Sequence, residues 1–404
     1  MTKEKSQAEF KVNKSKSSYF LSSEKPWVRV GAQMHDHAMA LSRIPAKQFY
    51  WDARTFVDTI AEVNLYYDMD DILPVADVYN FEIEGMGGKL IYSENAMPTI
   101  DFREPLIKEP VDLRRLKTPD FYRDGRLPYA LDSIKFGTEY GVYQSRFCAP
   151  FSMAVGMRSY PGLVKDMRKQ PQFVHELFTF IVDEVLIPYV KIQKEYCGII
   201  AALGADAWAS IPNLSVQDMK EWVVPYNQRL MTKSRELNMK VTCNSGDYNE
   251  ERLEKFDTKI LHGSFDVQVA SKGEPSLLLG MGRWHEYPLE PVREYTARYR
   301  EQGMKVHITA GVNALLLRYG PVGKIINTVK RFIDTFARDH ELNILLANIP
   351  ADTPPEHVHA AVAAAHTYGH KPIADNLDKI QLKRPKRESF QEWKKKRATN
   401  CKVQ

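Results

Sequence analysis

The segment Gln33-Met-His-Asp-His37 places two imidazoles two residues apart around a carboxylate. Such a group can ligate a metal, pass a proton or clamp a substrate carboxylate. It follows Pro26–Gln33, which alternates as a strand does. Ionisable groups crowded at a strand end are costly to place unless paired or used. His35 and His37 are therefore candidate proton-transfer groups or ligands, the alternative being a polar turn with satisfied rings. Asp77 ends a second apolar run, Ile72-Leu-Pro-Val-Ala-Asp77, so its carboxylate is expected to be partly buried and either catalytic or a helix N-cap. Asn80 and Glu82 follow; Glu82 and Glu84 fall on different faces of any helix, so they form no obvious acid/base pair.

Later strand ends add further groups. Met153, Met157 and Arg158 lie in Cys148-Ala-Pro-Phe-Ser-Met-Ala-Val-Gly-Met-Arg158. The methionines suit a pocket wall or a core face, and Arg158 suits an anion or an ordinary ion pair. Asp206, Trp208 and Asn213 come next, Trp208 offering a flat apolar face to a ring-bearing ligand or to simple packing. Cys243-Asn-Ser-Gly-Asp247 brings a thiol that is a ligand, a nucleophile or an inert core group, with Asn244 beside it to orient a substrate. His262, Asp266, Trp284, His285, His307 and Asn313 belong to the later strands, and Asn348 and Asp352 to the last.

Only a scaffold that gathers strand ends can use residues so far apart. Helices are expected over Ala46–Tyr67 and Tyr160–Glu195, and after Ser215, where Ser215 and Asp218 form a capping box. Strands are expected over Ile72–Asp77, Gly141–Cys148, Leu203–Ser210 and Met239–Cys243, then around Ile260, Leu277, Val306 and Ile344. The closing segment reads as a strand, a loop, and a helix with Thr353 at N-cap, Pro354 at N1 and Glu356 at N3. Val358, Ala361, Val362 and Ala365 follow at helical spacing. Alternating strands and helices predict an α/β fold with a parallel sheet. Roughly eight such units favour a closed (β/α)8 TIM barrel. No Gly-x-Gly-x-x-Gly follows the first strand, which disfavours a dinucleotide-binding sheet.

Length and composition fit this reading. The 404 residues, 44% hydrophobic, suffice for a barrel with insertions. Residues 1–26 read as a polar N-terminal arm, 27–378 as the barrel, and 379–404 as a basic C-terminal tail. An irregular excursion over Lys89–Arg114 reads as an insertion after the second strand. No run of about 18 apolar residues suggests a membrane span, and the polar start shows no secretory signal. The four cysteines are scattered, as expected of a cytoplasmic protein without a disulfide framework. Net charge is +5, concentrated in the tail; a solvated tail or a helix packed on a neighbouring subunit is expected there, since no nucleic-acid module is present.

Several segments resemble the uroporphyrinogen decarboxylase superfamily. They are Val75-Ala-Asp77, Gly85-Met-Gly-Gly-Lys89, Pro98-Thr-Ile100 and Glu109–Lys117; Ala149-Pro-Phe-Ser-Met153; Met219–Tyr226; Ala310-Gly-Val-Asn313; and Ile344–Gly369, whose Ile349-Pro-Ala-Asp-Thr-Pro-Pro-Glu356 is similar to the family's closing motif. The likeness spans roughly Trp27 to His370 and implies a barrel and a homodimer. Asp77 falls on the decarboxylase's central aspartate. Gln33–His37 replaces that enzyme's arginine-bearing signature, while its tyrosine and closing histidine fall near Gly156 and Ala347. Those changes ill suit a many-fold anionic tetrapyrrole. The Asp77–Glu82 segment and the His-Asp-His turn look closer to the corrinoid-dependent methyltransferase branch. That branch's zinc triad is not intact here: Cys243-Asn-Ser245 and Ala347 occupy its places, leaving Cys243, with His35 and His37, as the candidate metal set.

The expected protein is thus a methyltransferase moving a methyl group between a small O- or N-methylated substrate and a corrinoid (on a partner protein) or a pterin such as tetrahydrofolate. Asp77, His35 and His37 are its candidate catalytic groups. Asn80, Glu82, Met157, Arg158, Trp208, Asn244, Asn313 and Asn348 are its candidate substrate-binding groups. The alternatives are a decarboxylase or lyase of a small carboxylate, and a non-catalytic barrel that carries a corrinoid or a substrate.

Overall fold

In this computed structural model the described residues are 25–74, 79–249, 255–280, 288–382, 384 and 387–400. Arg29–Ala32 forms β1, with Val30 and Ala32 buried against the helices. Leu90–Ile91 and Thr99–Ile100 form β2 and β3, an antiparallel pair inside the excursion expected to be irregular. Gln144–Cys148 is β4 and Ala201–Ala205 is β5, followed by the short β6, Ser210–Ile211. Lys240–Asn244 is β7, Asp247–Tyr248 is β8 and Ser276–Leu279 is β9. His307–Val312 and Glu341–Leu346 complete the set as β10 and β11.

The strands pair in parallel in two main sheets, one of four strands in the order β1-β11-β10-β9 and one of three in the order β4-β5-β7. A β6-β8 pair, also parallel, extends the smaller sheet past the ends of β5 and β7. Helices return the chain between successive strands, as parallel pairing requires. The core lies between strands and helices: Val30, Phe147, Leu277, Ile308 and Ile344 are each at most 1% exposed. Of the second expected strand, residues 72–74 are described and lie in no strand, while Asp71 just before them bridges Gly31; Asp77 at its end lies outside the described residues, as do Trp284, His285 and the arm through residue 24.

Helix starts follow side chains more than composition. The helix expected over Ala46–Tyr67 is two, Ala46–Phe49 and Ala53–Tyr67, because the Asp52 carboxylate accepts from Thr55 N at 2.7 Å and starts the second. Ser215 caps Val216–Trp222 as expected, accepting from Asp218 N at 3.0 Å. Ile260 is not in a strand. It sits in the first turn of Thr258–Lys272, where the Asp257 carboxylate accepts from Lys259 N and Ile260 N. The closing helix runs from Pro355 to Tyr368 with Pro354 at its N-cap, so Thr353 is not the cap, and its buried hydroxyl is unpartnered. Proline at 355 holds the preceding residue extended, which moves the start one position along.

The basic tail folds onto its own chain. The helix Phe390–Asn400 lays Phe390 and Trp393 against Tyr66, ring centroids 5.3 and 5.7 Å away. Gln391 donates to Leu41 O, and Lys394 pairs with Glu62 at 2.7 Å. Arg387 pairs with Asp68.

Candidate active site at the carboxyl ends of the strands

Backbone hydrogen bonds knit the strand ends together. Gln33 N donates to Leu346 O and Ile349 N to Gln33 O, joining the first turn to the closing loop. Ala149 N donates to Ala205 O and Asp206 N to Asn244 O on the other sheet.

The two first-turn histidines part company. His37 is buried with both nitrogens engaged: Nε2 lies 2.7 Å from the Tyr67 hydroxyl and Nδ1 3.2 Å from Pro350 O. The carbonyl can only accept, so Nδ1 donates and Nε2 accepts from tyrosine. Burial holds this ring at about 4, neutral near pH 7, and it braces the closing loop. His35 differs, because its Nδ1 is buried without a hydrogen-bond partner. Burial, and then the Arg146 charge, bring it also to about 4, so it meets a ligand as a neutral imidazole.

Glu82 is buried and its oxygens serve the backbone, Oε1 accepting from Cys148 N at 2.7 Å and Oε2 from Tyr79 N at 3.0 Å. It thereby pins a turn in which Tyr79 sits at φ 87°, a conformation non-glycine residues rarely adopt and which persists only when its surroundings fix it. Tyr79 directs its phenol towards the Ala207 backbone and feels Cys148, Asp206 and Glu82; burial raises its pKa. Asn80 is buried at the start of the helix Asn80–Gly85.

Asp206, 3% exposed, accepts from Ser152 N and Oγ on one oxygen and from Ser245 Oγ on the other. Burial outweighs these bonds and lifts its carboxyl to about 6. Asp247 on β8 is half-buried and alternates with the buried Tyr248, so the two side chains leave opposite faces of the strand. Burial lifts it to about 7, against a bond from Tyr248 N. Two carboxyls that stay partly protonated near neutrality are suited to donating protons. Trp208 stacks on Tyr160 at 5.4 Å, with exposed Phe102 edge-on at 6.2 Å, and forms an aromatic rim. Asn244 ends β7 beside them.

Other expected residues lie elsewhere or are committed. Met157 is in the core. Arg158 binds Asp166 at 2.7 Å and the carbonyls of Ile107 and Lys108, fastening the insertion. Asn313 caps Ala314–Tyr319 through Leu315 N and Leu316 N. Asn348 is exposed in the closing loop at φ 45°, and Asp352 pairs with Arg318. His262 meets Pro291 O, Asp266 holds Tyr295 and Arg298, and His307 pairs with Glu341 at the opposite, amino end of β10. Cys243 is fully buried and packs at Gly204, where an added Cβ would lie 2.9 Å from its sulfur. Among the described residues no three His, Cys, Asp or Glu side chains gather to hold a metal. His35, His37 and Cys243 thus do not fit a zinc ion.

Three groups escaped the sequence reading: Tyr79, Arg146, and Asp247, which only closed the Cys243–Asp247 segment. Tyr79 gave no signal, since its backbone conformation is invisible in the chain. Arg146 did: it is a charged residue in the middle of an otherwise buried strand, and it faces the space between the two sheets.

Parallel strands with polar groups converging at their carboxyl ends define the class of α/β proteins that carry function on strand-end loops. The chain belongs to the uroporphyrinogen decarboxylase (URO-D) family, whose model matches residues 26–368. A comparison with curated proteins returns no match. Among solved structures, a methyltransferase from Methanosarcina mazei superposes with a TM-score of 0.64 over 86% of this chain and 96% of that one, at 17% identity. At that identity the likeness speaks for the fold. Among the described residues no helix is long and apolar enough to cross a membrane.

Proposed function

We propose that the two sheets are arcs of one (β/α)8 barrel and that the protein is a methyltransferase acting on a small O- or N-methylated compound. The observation that carries this reading is the pair of carboxyls past the ends of β5 and β7: Asp206, held by Ser152 and Ser245, and Asp247 two residues beyond Ser245, which desolvation holds at about 7. Breaking a methyl–oxygen or methyl–nitrogen bond leaves a poor leaving group unless it takes up a proton, and a carboxylic acid of this strength donates one near neutral pH. Family membership and the fold shared with a methyltransferase support the same reading. A corrinoid on a partner protein, or a pterin, would supply the methyl acceptor. The chain's own part is to seat the donor beside Trp208 and Asn244, exclude water with the aromatic rim, and protonate the departing atom from Asp247, with Asp206 behind it. His35 offers an unsatisfied imidazole nitrogen to the substrate. Asp77 keeps its proposed catalytic role as a further carboxylate.

The experiment is to mix the protein with cob(I)alamin and a panel of methoxy and methylamino compounds and follow the visible spectrum. Methylation of the corrinoid with at least one compound is expected. A second reading, decarboxylation of a small carboxylate, is favoured by Arg146, which could hold a carboxyl group. No spectral change across the panel, together with carbon dioxide release from any carboxylate tested, would replace the first reading by the second.

A further inference from the structure

Arg146 is the third residue of β4 and alternates with Ser145 and Phe147, which are buried on the helix side. Its guanidinium keeps its charge at any pH a protein meets. Among the described residues it has no ion pair and no hydrogen bond; the neighbours it senses are Tyr79 and His35. Carboxylates nearby are already engaged. Asp71 holds Arg29, and Asp70 accepts from Trp27 Nε1 at 2.9 Å and Val30 N at 2.9 Å with His366 beside it. A cavity of about 520 Å³ opens against Arg146, and its far wall carries Thr309 of β10 and Asn343 of β11, paired in register. Arg146 is half-buried and borders the cavity without a counter-charge among the described residues, which costs free energy, whereas a bidentate anion would match its planar fork.

We propose that Arg146 anchors a carboxylate of the substrate, with the Thr309 hydroxyl and the Asn343 amide completing the pocket, so that the methyl donor is a small methoxy- or methylamino-carboxylic acid. Arg146 binds the end that does not react. The methyl-bearing end then points past Tyr79 and His35 to the strand ends. This assignment rests on the methyl-transfer reading for the identity of the reacting end, and its test is separable because it reads binding alone.

Thermal unfolding and calorimetric titration of the whole protein decide it, with methoxyacetate, its neutral analogue methoxyacetamide, and inorganic phosphate as probes. Methoxyacetate is expected to raise the melting temperature, as any ligand bound only by the folded state does, and the amide at equal concentration is not. Arg146→Met should weaken methoxyacetate binding at least tenfold and melt no lower than wild type without ligand, having lost an unpaired half-buried charge. Arg146→Lys keeps the charge without the fork and should weaken binding at least threefold; it carries the comparison if the methionine variant does not fold. Equal binding by wild type and variant, equal effects of acid and amide, or no binding by wild type would overturn the proposal. A phosphate effect as large as that of methoxyacetate would also overturn it, by making the site a general anion site. Methyl transfer from neutral compounds without carboxylate binding would remove this inference and leave the methyltransferase standing; carboxylate binding without any methyl transfer would do the reverse.

Discussion

Asp247 and Asp206 differ from ordinary carboxylates because burial favours their protonated forms, at about 7 and about 6. The folded chain therefore holds protons there that the unfolded chain, with carboxyls near their ordinary value of 3.8, releases. The resulting stability is present below the unfolded value and is lost as pH rises towards the folded one. Asp247→Asn keeps the size and cannot ionise. Its melting temperature should vary less than that of wild type between about pH 5 and 8, with the gain on the alkaline side on the order of a few degrees. The same variant should lose roughly 10²–10⁴ in methyl-transfer rate, and wild type should slow above about pH 7 as the acid form disappears. Parallel melting curves for the two proteins would show that Asp247 carries no buried proton. The depressed histidines act in the opposite direction, since His35 and His37 at about 4 cost stability as pH falls below the ordinary imidazole range, so the comparison must be made between variants and not on wild type alone.

At the scale of elements, the tail shows how composition can mislead. Its lysines and arginines suggested solvation, while Phe390 and Trp393, three apart and so on one helix face, hold it to Tyr66. Phe390 is 2% exposed, and burying such a side chain contributes about 1.5–3 kcal/mol; the exposed ion pairs add little. Deleting residues 389–404 should lower the melting temperature by on the order of 5 °C, and by nearly the same amount at low and high salt. An unchanged melting temperature would mean that the helix does not dock in solution. The Ser215 cap, the alternation of parallel strands with helices and the closing strand-loop-helix were legible because each is written in local spacing. The helix at Ile260 and the start at Pro355 were not, because Asp257 and a second proline decided them against apolar spacing. Glu82 was read as a substrate group because nothing local reveals that the backbone of β4 takes its oxygens.

On the scale of the whole molecule, Arg146 sits beside the cavity that lies between strands of the two sheets. Among the described residues β5 and β11 are bonded to strands on both sides and β4 to β5, and the chain between Asp70 and Pro74 reaches β1 through Asp70 N to Val30 O and the Gly31–Asp71 bridge. Pro74 adds no donor to this ladder. The cavity opens there, lined by Asp71, Pro74 and the Tyr143–Arg146 stretch. Hydrogen exchange at Gln144–Cys148 should slow when methoxyacetate is bound, and by more than across Ala201–Ala205 or Glu341–Leu346, because a ligand on Arg146 stabilises the form in which this strand is closed. Unchanged exchange at Gln144–Cys148 on adding methoxyacetate, under conditions where it raises the melting temperature, would mean that the ligand binds away from β4 and that Arg146 is not its anchor.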